Sequence, residues 1–219
     1  HFNARTWDLW CGPAPDHGYN GTFFAPYAWR LWWDYGTSGL GDMGIHNMDP
    51  LVDVLELWYP YSITAYVNET AGICHSDGCR VEFKFKPNKW VPNGITLTWR
   101  DGANHLPQNR TGFDKDFQFH VKNGVMVRGS ELTTYGDAHF IPPTVIAEAG
   151  KDWGPSGVEL RKKWLDVTGP LTYPWKTHFE QFLKAYLAGE PKMCNSNIDY
   201  SVPFSEMLCL GLIGTRFPG

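Results

Sequence analysis

The sequence predicts an α+β fold, with an open, mostly antiparallel β-sheet and helices packed on one face. Three features of the sequence indicate this class. Apolar residues recur at helical spacing after Leu40, alternate with polar residues through the middle of the chain, and return to helical spacing near its end. Because turns rather than helices separate the alternating runs, neighbouring strands are expected to pair antiparallel.

The first part of the chain is predicted to be an arm followed by one helix. Residues 1–37 mix prolines and glycines with five tryptophans, which is typical of an irregular segment held by aromatic packing. The helical spacing from Leu40 to Trp58 predicts the first helix. Pro50 lies inside it and lacks the N–H of the helix ladder, so we expect a kink there or a break into two short helices.

Strands are predicted where polar and apolar residues alternate, because successive side chains of a strand point to opposite faces. The pair Asn123-Gly124 predicts a tight hairpin turn. Two closing helices are predicted, at Trp175–Leu187 and from about Pro203. The predicted strands are Ile63–Val67, Cys79–Lys86, Ile95–Trp99, Phe117–Val121, Val125–Val127 and Glu131–Tyr135.

Length and composition indicate one domain and exclude some partners. With 219 residues, of which 42% are hydrophobic, the chain can bury the core of a single domain covering 1–219. A net charge of −4 without a run of basic residues gives no general attraction to nucleic acid or to an anionic membrane surface. No segment approaches the roughly 20 apolar residues that span a bilayer. We therefore expect neither nucleic acid nor a membrane as partner.

Cysteine and aromatic content narrow the possible functions. The five cysteines form no C-x-x-C pair, and only Cys74 and Cys79 are close enough in sequence for a local disulfide, with two free thiols as the alternative.

Aromatic residues make up 16% of the chain and include 11 tryptophans. Flat amphipathic rings commonly line sites for sugars and polyols, but they also fill aromatic cores and subunit interfaces. The aromatic content is compatible with both uses.

The most informative short segment is Ser38–Asp49, SGLGDMGIHNMD, in which Asp42 and His46 lie four residues apart among glycines. On a helix these two side chains share one face, with Asp49 near the same stripe. Asp42 is expected at the helix start, where the helix dipole favours a carboxylate. A carboxylate that orients an imidazole is typical of a general acid or base near neutral pH, and glycines let a ligand approach closely.

Two other interpretations of this segment exist, an ordinary Asp–His surface pair and a metal site. No second group of ligands supports a metal, so none is expected. The other histidines, His75 among them, have no partner at useful spacing and are expected on the surface or in the core. No G-x-G-x-x-G or G-x-x-x-x-G-K-[ST] segment is present, so the sequence predicts no nucleotide site.

Several segments, taken together, resemble one protein family. In this order, and over nearly the whole chain, they resemble the C-terminal domain of the Gfo/Idh/MocA oxidoreductases, in particular the branch that carries W-D-L-W-x-G-P-A-P. The segments are WDLWCGPAP at Trp7–Pro15, WRLWWDYGTSGLGDMGIHNMD at Trp29–Asp49, LTWRDG at Leu97–Gly102, VKNGVMVRG at Val121–Gly129 and SNIDYSVPFSEMLCLG at Ser196–Gly211.

The resemblance implies the substrate-binding domain of a sugar, polyol or glycoside oxidoreductase that uses NAD or NADP. The family's D-x-x-x-H motif falls on Asp42 and His46. By resemblance, His46 is the acid or base that moves the hydroxyl proton, and Asp42 orients it. Arg30 and Asp49 are implied to contact the substrate. The sheet is implied to be the interface of a homo-oligomer.

The family's N-terminal dinucleotide-binding domain, with its catalytic Glu-Lys-Pro segment, has no counterpart in this sequence. We therefore expect the chain alone to hold no NAD(P) and to be inactive, and the lack of an initiator methionine favours an excised domain. The alternative is a stand-alone, non-catalytic carbohydrate-binding or oligomerisation module of the same fold. Because many members of this branch carry secretion signals, a cytoplasmic and an exported bacterial location are both open.

Overall fold

The structure, a computed structural model, describes residues 5–24, 27–69, 72–102, 124–137, 145–148, 159, 162–163, 166 and 175–218. The chain divides into two compact units. The first unit comprises His1–Ile45, Leu51–Leu106 and Pro203–Gly219, and the second comprises His46–Pro50 and Pro107–Val202.

Helices flank two groups of strands along the chain. The α-helices are α1 Trp7–Cys11, α2 Gly21–Phe24, α3 Ser38–Val54, α4 Trp175–Ala188 and α5 Ile198–Arg216. Short 3₁₀ helices lie at Ala28–Leu31 and Pro191–Met193. The strands are β1 Ser62–Val67, β2 Cys79–Phe85, β3 Ile95–Arg100, β4 Gly124–Arg128, β5 Leu132–Asp137 and β6 Val145–Glu148.

The first unit contains a three-stranded sheet of order β1-β2-β3, in which both strand pairs are antiparallel. Val81 of β2 faces Ala65 of β1 and Trp99 of β3, and all three residues are buried. Phe83 follows two residues later and is fully buried on the same side. The residues that alternate with them in β2, Arg80, Glu82 and Lys84, are charged and only half-buried. The alternation predicted for this strand therefore marks one apolar and one polar face of the sheet.

Helices α3 and α5 cover the apolar face of this sheet. A Cβ added at Gly211 of α5 would lie 2.7 Å from Phe83 Cζ and 3.0 Å from Leu40 Cδ2. A Cβ added at Gly44 of α3 would lie 3.0 Å from Leu208 Cδ2. The two glycines thus allow the helices to pack at short range against each other and the sheet. The predicted α+β class, with antiparallel strands and helices on one face, is confirmed.

The arm contains short helices where the sequence predicted irregular structure. Helices α1 and α2 bring Trp7 and Phe24 together with ring centroids 4.9 Å apart, and Trp10 stacks on Trp7 at 4.7 Å. Trp7 Nε1 donates a 2.6 Å hydrogen bond to Asp16 Oδ1, which lowers the pKa of that carboxyl. These rings build an aromatic core, which is the second of the two uses that the composition allowed.

The second unit contains an antiparallel sheet of order β4-β5-β6, so the described strands form two three-stranded sheets. Strands β4 and β5 overlap the predicted strands, whereas β6 was not predicted. Helix α4 covers the predicted range and is followed by Gly189, whose φ of 67° suits glycine. The predicted strand at 117–121 and Asn123 of the predicted turn lie outside the described residues.

Helix α5 begins at Ile198, earlier than the predicted start near Pro203. Asn197 explains this difference, because its Oδ1 accepts a 3.2 Å hydrogen bond from the Tyr200 N–H and so caps the first turn. The proline is consequently inside the helix.

All five cysteines are free thiols, which decides between the two alternatives for Cys74 and Cys79. Cys79 is buried at the start of β2. Burial raises the pKa of its thiol, and the neighbouring Asp101 carboxylate raises it further. A thiol in these surroundings stays protonated and reacts slowly.

Candidate functional site

Helix α3 carries three of the four residues that the sequence predicts at the site. It runs from Ser38 to Val54 as one helix through Pro50, so of the two expected alternatives, a kink or a break, the break does not occur. Asp42, His46 and Asp49 therefore follow one stripe along the helix. His46 is exposed, whereas Asp42 and Asp49 are half-buried. The stripe is accessible to a ligand at His46.

The other side of α3 faces the interior. Leu40, Met48 and Val52 are buried and recur at helical spacing. Asp42 is not at the helix start as predicted, because the helix begins at Ser38 and Asp42 lies in its second turn. The helix dipole acts mainly within the first turn, so it adds little at this carboxylate.

Arg30 is the predicted site residue that contacts Asp42. Its Nε lies 2.9 Å from Asp42 Oδ2, and each side chain keeps 30% of its exposure. The contact is an ion pair between a guanidinium and a carboxylate. The guanidinium also lies over the rings of Tyr27 and Trp29, 4.9 Å and 5.5 Å from their centroids. These ring contacts add a favourable cation–π attraction to the ion pair.

Asp49 has a partner that the sequence did not predict. Tyr200 Oη, from the first turn of α5, donates a hydrogen bond to Asp49 Oδ1. The two residues are 151 positions apart, and no motif connects them. Sequence periodicity therefore gave no signal for Tyr200. Its hydroxyl fixes the orientation of the Asp49 carboxylate at the far end of the stripe.

The described strands do not form the parallel arrangement of a Rossmann-type dinucleotide site. Such cofactors bind where a parallel strand leads through a glycine-rich turn into a helix, but the strand pairs described are antiparallel. Within this part of the chain, no group of three or more His, Cys, Asp or Glu side chains is suited to a metal ion. None of the described helices combines the length and the apolar composition needed to cross a bilayer. The groups that these residues offer to a ligand are an imidazole, carboxylates and a guanidinium.

Comparison with known families identifies the class of protein. Residues 3–85 match the Gfo/Idh/MocA family model described as oxidoreductase family, C-terminal alpha/beta domain. Over this segment, the predicted resemblance to the C-terminal domain of the Gfo/Idh/MocA oxidoreductases, a family that depends on NAD(P), is confirmed. Arg30, Asp42, His46 and Asp49 all lie within the matched segment, whereas Tyr200 lies beyond it. None of the curated proteins compared with the chain matches it.

Proposed function

We propose that this chain is the substrate domain of an NAD(P)-dependent oxidoreductase that acts on a hydroxyl group of a sugar or polyol. The observation that carries the proposal is the arrangement on α3, where the exposed His46 follows the Arg30–Asp42 ion pair by one helical turn. The family match over residues 3–85 supports the oxidoreductase class.

Proton transfer is the step that we assign to His46. A neutral imidazole nitrogen accepts the proton of the substrate hydroxyl while the carbonyl forms, and it returns the proton in the reverse direction. Asp42 is proposed to orient this imidazole, since the two residues share one stripe of α3. The ion pair with Arg30 supports that role, because it holds the Asp42 carboxylate in place.

Arg30 and Asp49 are proposed to bind further hydroxyl groups of the substrate. Each hydroxyl of a sugar or polyol can both donate and accept a hydrogen bond. The guanidinium donates hydrogen bonds to the oxygen lone pairs of such hydroxyl groups, and the carboxylate accepts hydrogen bonds from their protons. The hydrogen bond from Tyr200 supports the role of Asp49, because it orients one oxygen of the carboxylate.

Oxidation of a hydroxyl also requires a hydride acceptor. We propose that NAD or NADP is held by a dinucleotide-binding domain outside these residues. The polar face of the first sheet is proposed to form the interface of a homo-oligomer. Light scattering tests this assembly, and a mass that stays monomeric at every concentration would contradict it.

The first experiment is His46→Ala in the enzyme that contains both this domain and the dinucleotide-binding domain. Formation of NADH or NADPH is followed by absorbance with a panel of sugars and polyols. We expect kcat to fall by roughly 10²–10⁴-fold with folding unchanged, which is the usual contribution of general acid–base catalysis. His178→Ala is the matched control, because His178 is an exposed histidine of α4. A kcat equal to that of the control would remove His46 from the mechanism.

The alternative of a carbohydrate-binding module built on the tryptophans of the arm is not favoured. A sugar stacks on an accessible ring face. The five arm tryptophans are buried or half-buried, and Trp7 and Trp10 stack on each other. Among the tryptophans whose side chains are described, only Trp90 is more than half exposed, at 54%.

A further inference from the structure

His75 is a buried histidine that the proposed mechanism does not use. The residue is 7% exposed, and its ring packs against the Trp33 ring with centroids 3.8 Å apart. Its Nε2 lies 3.0 Å from the backbone oxygen of Gly36. Its backbone N–H donates a 2.8 Å hydrogen bond to the oxygen of Leu31. His75 therefore contacts both ends of the 31–36 loop.

Gly36 connects this histidine to Arg30. A Cβ added at Gly36 would lie 2.5 Å from Arg30 Cα and 2.9 Å from Arg30 O, so the two backbones are in direct contact. The Gly36 N–H also donates a 2.8 Å hydrogen bond to the oxygen of Trp32, which closes the loop. From this backbone the Arg30 side chain reaches Asp42. A displacement of Gly36 therefore moves the segment from which the guanidinium projects.

We propose that His75 is a positioning residue for the Arg30–Asp42 ion pair: its Nε2–H holds the Gly36 carbonyl, and Gly36 in turn holds the Arg30 backbone. The inference rests on the proposed function in one respect, that this ion pair belongs to the substrate site. The hydrogen bond requires a proton on Nε2, because a carbonyl oxygen can only accept.

The surroundings of His75 keep its imidazole neutral. Burial lowers its pKa and outweighs the hydrogen bond to Gly36, which acts in the opposite direction. Of the charged groups around it, Arg216 lowers the pKa and Asp101 raises it. A second proton would sit on Nδ1, which is buried and has no hydrogen-bond partner. In the neutral form the single ring proton is therefore on Nε2, where it donates to the Gly36 carbonyl.

The test follows the Arg30 side chain by NMR in the 219-residue chain labelled with ¹⁵N. His75→Phe keeps a buried ring but removes the donor to the Gly36 carbonyl. We expect it to accelerate hydrogen exchange of the buried Arg30 Nε–H by about fivefold. This factor corresponds to the loss of one ordinary hydrogen bond, here the bond from His75 to the Gly36 carbonyl. His75→Gln carries an amide that can donate to the same carbonyl, and it should restore the slow exchange.

Two controls separate positioning from general loss of stability. His178→Phe makes the same exchange of side chains at an exposed site and should leave Arg30 unchanged. The indole N–H of Trp7, which is bonded to Asp16, reports whether the remainder of the first unit stays folded in each variant.

An Arg30 exchange rate that is unchanged in His75→Phe overturns the proposal. Equal acceleration in His75→Phe and His75→Gln also overturns it, because loss of packing would then explain the effect. If His75→Phe does not fold, His75→Leu takes its place, because it also keeps an apolar side chain and lacks the donor. The same comparison with His75→Gln then decides the question, and none of these readouts depends on the activity assay.

Discussion

Replacement of Gly211 by valine tests how α5 packs against the sheet. A Cβ at this position would lie 2.7 Å from Phe83 Cζ and 3.0 Å from Leu40 Cδ2. Carbon atoms attract each other best at about 3.5–4.0 Å, so the Cβ alone is too close by about 1 Å, before the two methyl groups are added. Phe83 and Leu40 are fully buried, and buried side chains are closely packed by their neighbours.

Overpacking of this kind typically costs about 1–3 kcal/mol, and valine recovers only a few tenths of that through its better helix propensity than glycine. We therefore expect Gly211→Val to lower the free energy of unfolding by about 2 kcal/mol, which is roughly a 30-fold change in the equilibrium constant. Urea unfolding followed by circular dichroism measures this difference. Cys209→Val, at an exposed position of the same helix, should change stability by no more than about 0.5 kcal/mol.

A second substitution identifies the atoms responsible. Phe83→Leu shortens the side chain that meets the new Cβ, so the double variant should be more stable than the sum of the two single effects predicts, by about 0.5 kcal/mol or more. Additive effects would mean that Phe83 is not the clashing group. A Gly211→Val variant as stable as the wild type would refute the close packing of α5 on the sheet.

Three further predictions concern burial and charge. Because burial lowers the pKa of His75 below the value of about 6.5 that it has in the unfolded chain, the unfolded state takes up its proton first. The stability from neutral His75 is complete above that unfolded value and is lost as pH falls through the lower folded pKa. The melting temperature should drop between pH 7.5 and 5, and a drop of the same size in His75→Gln would contradict this origin. Iodoacetamide should label the exposed Cys209 quickly and Cys79 slowly at pH 8, whereas equal rates by mass spectrometry would argue against the buried, protonated thiol. Trp7→Ala should cost about 3–5 kcal/mol in urea unfolding because this ring is 4% exposed, while Trp90→Ala, at 54%, should cost far less; similar losses would contradict the aromatic core.

Local patterns in the sequence predicted several elements of the fold. The alternation in Cys79–Lys86 gave β2 and its buried face, and the helical spacing after Leu40 gave α3. The pattern failed where a local contact decided the boundary. Asn197 caps α5 earlier than the apolar spacing indicated. Such a boundary depends on a single hydrogen bond, which periodicity does not record.

The candidate site was predictable in part for the same reason. Asp42 and His46 share a stripe because any helix places residues four apart on one face, and the sequence contains that information. The family resemblance added Arg30, and the structure pairs its side chain with Asp42. Tyr200 was missed because it lies 151 residues from Asp49 and belongs to no motif.

The sequence by itself determined the class of fold, the course of the helix with Asp42 and His46, and the family model that residues 3–85 match. The fold class and the helix follow from composition and periodicity, which act between residues close along the chain, and the family match follows from the motif residues themselves. Only the tertiary structure decided that the arm tryptophans form a core, that Arg30 pairs with Asp42, and that His75 holds the loop behind Arg30. These contacts join segments that are distant in sequence, and packing and hydrogen bonding in three dimensions select their partners.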